Sequence, residues 1–120
     1  EVDAIVTSLG TDQVPAAFGA YPKFIGRYAR DRKLMPMETA IHKITGKPAE
    51  RMRISDRGTI EEGKIADLVV FDPKTILDTN TIAEPTKAPV GIHQVWMDGK
   101  LVLEDGERRN EDYRGSILLY

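Results

Sequence analysis

The stretch DRGTIEEGKIADLVVFD, residues 56–72, constrains the fold of this chain more than any other. Gly58 and Gly63 supply turn conformations that residues with side chains resist, and the apolar runs between and after them suit strands. Leu68–Phe71 is unbroken apolar sequence bounded by Asp67 and by Asp72-Pro73, which predicts a buried strand. A β-hairpin of any sandwich would read the same way, so the rest of the chain has to decide what surrounds it.

Before this block the pattern is helical. Residues 4–9 (AIVTSL) are short, β-branched and apolar and run into Gly10-Thr11-Asp12, the signature of a buried strand that ends in a loop. Pro22 suits the first turn of a helix over residues 23–32, with Phe24, Ile25 and Tyr28 on one face. A second helix is predicted from Pro36 through Ile44 with a stop at Gly46, and a third, shorter one opens at Pro48 and runs through Met52. From Ile54 onward the pattern is that of strands. Ile92–Met97, the Asp98-Gly99 turn and residues 101–103 form a hairpin signal, because both central residues of the favoured turn need positive φ. Asp105-Gly106 is a second turn, and residues 117–119 a last short strand. Residues 72–91 hold Pro73, Pro85 and Pro89 with little periodicity and are expected to run extended over the surface.

Charge and size narrow the function classes. Seventeen basic against nineteen acidic residues leave a formal charge of -2, no footprint for nucleic acid or an anionic membrane. The run Arg27, Arg30, Arg32, Lys33 is broken by Asp31 and spread around a helix, a solvated face. No cysteine is present for a disulfide or thiolate metal site, and no apolar run approaches the ~18 residues of a spanning helix. These readings point to small-molecule or protein partners, with cytoplasmic location as the default. A complete (β/α)8 barrel takes about 250 residues. With 120 residues the chain is too short for one.

The chemistry-bearing residues are few. Asp12 after Gly-Thr at a strand end is by itself a turn or cap residue as readily as a catalytic one. His42 falls mid-helix and reads as a surface or packing residue, while His93 has no partner at metal-ligand spacing. Neither forms a His-x-His or His-Glu-x-x-His pattern, so no metal is expected to be held by this chain alone. Trp96 reads as packing on a sheet face, and Phe18 and Tyr21 either line a substrate pocket or anchor the helix that follows.

Taken together, these motifs resemble a known family. Residues 56–72 are similar to the barrel-to-sandwich junction of the amidohydrolase superfamily, and VTSLGTD, residues 6–12, to the end of the eighth barrel strand there. The pairs Phe18-Gly19 and Pro22-Lys23, the run Gly26-Arg27-Tyr28, and later Glu84-Pro85 and the segment VWMDGK at 95–100 resemble N-acyl-D-amino-acid deacylases. The short loop between Asp12 and Phe18 departs from that pattern, lacking the His-Pro-Arg type stretch many of these enzymes carry.

The resemblance implies an α/β fold: residues 1–53 as the last βα unit of a TIM-like metal-dependent hydrolase barrel, and residues 54–120 as the C-terminal part of a β-sandwich domain. It implies hydrolysis of a non-peptide C–N bond in an N-acyl amino acid substrate, with zinc, one or two divalent ions, in the complete enzyme. Asp12 would bind or neighbour the metal and shuttle the proton, while Phe18 and Tyr21 would touch substrate. The remaining N-terminal part of the enzyme would be its partner, and a homo-oligomer is compatible with this reading. The alternative is a free-standing, non-catalytic α+β module serving interaction or assembly.

Overall fold

The computed structural model describes residues 19–81 and 83–110. The predicted strand at residues 4–9, the loop with Asp12, the side chain of Phe18 and the strand at 117–119 lie outside the described residues.

The helical part begins at α1, Ala20–Lys23, which passes without a break into a π-helix, Phe24–Asp31. Pro22 sits in the first turn, where its missing N–H costs nothing. The π winding is closed by the Arg32 N–H, which donates to the Arg27 carbonyl five residues back at 3.0 Å. It corrects the expected helical face: Ile25, Gly26 and Ala29 are buried, while Phe24 and Tyr28 remain partly exposed and lean on each other at 6.4 Å between ring centroids.

Next come α2, Met37–Ile44, and α3, Gly46–Arg51. Gly46 is not the terminator that the sequence suggested; it opens α3, two residues before Pro48. Its lack of a side chain is used for packing, since a Cβ there would lie 2.9 Å from His42 Nδ1.

Among the described residues the β part is a four-stranded antiparallel meander in the order β1-β2-β3-β4: Leu68–Phe71, Ile92–Met97, Lys100–Glu104 and Glu107–Arg108. Both predicted turns take the required shape. Asp98 and Gly99 have φ of 50° and 70°, Asp105 and Gly106 of 45° and 86°. In β1 the strand is as expected but its burial is not: Leu68, Val69 and Val70 are exposed, because among the described residues β1 is the edge of the sheet.

Residues 72–91 depart most from expectation. Instead of an extended surface run they open with a tight turn in which the Lys74 N–H and the Thr75 hydroxyl donate to the Asp72 carboxylate at 2.8 and 2.9 Å. The turn delivers Ile76, 2% exposed, into the helices, and Leu77 then pairs with Val90. Gly26 and Gly91 make the room: a Cβ on the first would overlap the Ile76 carbonyl oxygen, and one on the second would lie 2.5 Å from the Ile76 nitrogen. Arg30 Nη1 donates to the carbonyls of Ile76 and Pro73 at 2.8 and 3.4 Å. The core among the described residues is therefore Ile25, Ala29, Ala40, Ala49 and Ile76, with no strand residue in it.

Candidate functional site

Between the helices and the sheet lies a cleft of about 810 Å³. Its walls are mainly apolar, with Ile25 and Ile41 from the helical side and Leu68, Phe71 and Ile92 from the sheet. Tyr21 stands at this cleft, 46% exposed, so of the predicted substrate-contacting pair this one is placed beside an apolar space. Glu38, His42 and Lys64 are among the few ionisable groups that line it. Such a lining binds apolar surface, whether of a ligand or of further protein, and offers no organised set of acids and bases.

The other charged groups serve the scaffold. Arg57 Nη1 donates to Asp67 at 2.8 Å, and the second Asp67 oxygen accepts the Asp98 N–H at 2.8 Å, which ties the loop before β1 to the hairpin turn. The Glu61 carboxyl is held below its usual range by the Thr59 hydroxyl and Lys64, and that of Asp31 by Arg30. Asp72 is lowered first by the Lys74 N–H and then by the Thr75 hydroxyl. His93 is exposed in β2 with Nδ1 at 3.2 Å from Asp105 Oδ1, and His42 is exposed on α2. Trp96 is half-buried and its Nε1–H donates to Gln94 Oε1 at 3.3 Å, the packing role expected of it.

No three His, Cys, Asp or Glu side chains come together among the described residues in a way that could hold a metal ion, so these residues do not fit one. A feature missed in the sequence lies at the start of α1, where the side chains of Asp78 and Asn80 press on Gly19, the residue directly after Phe18. Two polar residues in a segment read as surface connection gave no signal of this.

The amidohydrolase family model matches residues 4–103, a span that includes Asp12, the helices and three of the four strands. The chain belongs to the amidohydrolase family. A D-aminoacylase from Alcaligenes xylosoxydans xylosoxydans is 42% identical over 106 residues, covering 82% of this chain and 22% of that protein. An N-acyl-D-aspartate deacylase of the same organism is 36% identical over 120 residues, covering 94% and 24%. Among solved structures, that of a D-aminoacylase superposes with a TM-score of 0.78 at 41% identity, over 81% of this chain and 20% of that one. The N-acyl-D-glutamate deacylase from Bordetella bronchiseptica, solved with zinc and a phosphonate inhibitor that mimics the tetrahedral intermediate, gives 0.73 at 39% identity, over 78% and 20%. The chain thus spans 20–24% of the length of these relatives.

Proposed function

We propose that this chain is the C-terminal portion of a metal-dependent amidohydrolase that removes the acyl group from an N-acyl-D-amino acid. The observation that carries the reading is the agreement with D-aminoacylase in both sequence and fold, 41% identity with a TM-score of 0.78. On this reading residues 1–53 are the end of the barrel and residues 54–120 belong to a β-sandwich, the remaining N-terminal part supplying the rest of both.

Water adds across the amide C–N bond, giving a carboxylic acid and a free amine. One carboxylate can take the proton from the attacking water and return it to the departing nitrogen, and Asp12 is the group we assign to this transfer. Zinc, one or two ions as the relatives' binuclear centre and zinc complex suggest, would be held in the complete protein with Asp12 as the ligand this chain offers. Tyr21, which lies on α1 and lines the cleft, and Phe18 are assigned to substrate contact.

Amine release from N-acyl-D-amino acids by the full-length protein tests the reading. Asp12→Asn keeps size and hydrogen bonding but cannot shuttle the proton, so kcat is expected to fall by about 10²–10⁴ with the fold retained. More than a tenth of wild-type activity in that variant would remove Asp12 from the role.

A further inference from the structure

Asp-Gly pairs close both hairpin turns of the sheet, and the two pairs differ in one bond. Asp98-Gly99 links β2 to β3 and Asp105-Gly106 links β3 to β4, with all of these residues at positive φ. Both pairs are exposed, and a Cβ on either glycine would meet no atom within 4 Å. In each pair the aspartate N–H is held, donating to Asp67 Oδ1 at 2.8 Å from Asp98 and to the His93 carbonyl at 2.7 Å from Asp105. The glycine N–H groups are treated differently. That of Gly99 donates to the Ala66 carbonyl at 3.0 Å, whereas that of Gly106 has no acceptor among the described residues.

An amide nitrogen that follows aspartate is a nucleophile for the carboxyl group beside it. Glycine has no side chain to shield that nitrogen, so a succinimide ring closes once the peptide between the two residues turns and the nitrogen faces Cγ. At Gly99 this rotation breaks the bond to Ala66; at Gly106 it breaks none. Asp105 Oδ1 does face His93 Nδ1 at 3.2 Å, but the two side chains are 74% and 55% exposed, and a pair so hydrated restrains little. We propose that Asp105-Gly106 is a site of spontaneous isoaspartate formation, and that the bond from Gly99 to Ala66 protects Asp98-Gly99 from the same reaction. The Gly106 nitrogen bonds to Asp105 Cγ, and its proton, together with one from solvent, leaves with a carboxylate oxygen as water. Water then adds to the main-chain carbonyl carbon of Asp105, its bond to Gly106 breaks, and a proton returns to solvent. The backbone now runs through the Asp105 side chain and is one methylene longer between Glu104 and Glu107, which pair across this turn, so β4 loses its register.

Ageing the full-length protein at neutral pH in heavy-oxygen water tests this without reference to activity. Each ring opening leaves one heavy oxygen in the chain, and mass-spectrometric peptide mapping locates it, with isoaspartyl peptides eluting apart from aspartyl ones. The rate at each site is divided by the rate of the same site in denaturant, which removes the influence of neighbouring residues. On that scale the peptide holding Asp105 is expected to convert about three- to tenfold faster than the one holding Asp98, the ratio a single hydrogen bond sustains. Equal normalised rates in the folded protein, or faster conversion at Asp98, overturn the proposal. So does a folded protein that stays unchanged at Asp105 over a period in which the denatured chain converts there.

Discussion

Ile76 is the residue on which the two parts of this chain meet. It is 2% exposed, far from the helices in sequence, and seated between Gly26 and Gly91. Truncation to alanine is expected to cost about 2–5 kcal/mol, the range for a buried aliphatic side chain. Gly26→Ala should destabilise by about 1–3 kcal/mol through overlap with the Ile76 carbonyl, where backbone cannot yield as a flexible side chain would. Denaturant titration of the full-length protein measures both. Asp72 organises the turn that presents Ile76, and its carboxyl sits below the ordinary value of 3.8 because the Lys74 N–H and Thr75 hydroxyl favour the charged form. A lowered folded-state pKa gives stability that is present above 3.8 and lost as pH falls through the folded value. The stability difference between wild type and Asp72→Ala should therefore shrink on acidification below that point. A difference that stays constant down to pH 2 would show that the carboxylate contributes nothing through its charge.

At the scale of elements, legibility followed locality. β1 and β2 fall on the residues the sequence marked, because an apolar run closed by Asp or Gly is a local signal. The Asp98-Gly99 turn was legible for the same reason, both residues needing the left-handed region. Gly99→Val should strain that turn at φ near 70° and lower stability by about 1–2 kcal/mol, read as a shift in the denaturation midpoint. What escaped were features set by distant contacts. Gly46 looks like a helix stop until His42 is packed against it, and Ile76 looks like one apolar residue in a loop until Gly26 and Gly91 open a socket. The π winding of Phe24–Asp31 has no composition of its own, since its residues suit an ordinary helix equally well. The burial of β1 was misjudged because an apolar strand implies a cover without saying which chain segment supplies it. Of the site, Tyr21 could be followed to the cleft, while Asp12 and Phe18 lie beyond the described residues.

For the whole molecule, the exposure pattern agrees with the share of the relatives that the chain spans. Val69 and Val70 are 53% and 47% exposed on an edge strand, and the adjoining cleft is walled by isoleucines, leucine and phenylalanine. An apolar edge with no neighbouring strand among the described residues seeks a partner. The isolated chain is accordingly expected to associate with rising concentration in sedimentation, and to stop doing so when the remaining part of the protein is supplied. A monomer with a cooperative melt would show instead that the β part is self-sufficient. The measurement closest to the central claim is amine release by the zinc-loaded, full-length protein offered matched N-acyl-D- and N-acyl-L-amino acids. Preferential hydrolysis of the D-substrates is the predicted result; a folded, metal-loaded protein that releases no amine from any of them would contradict the account.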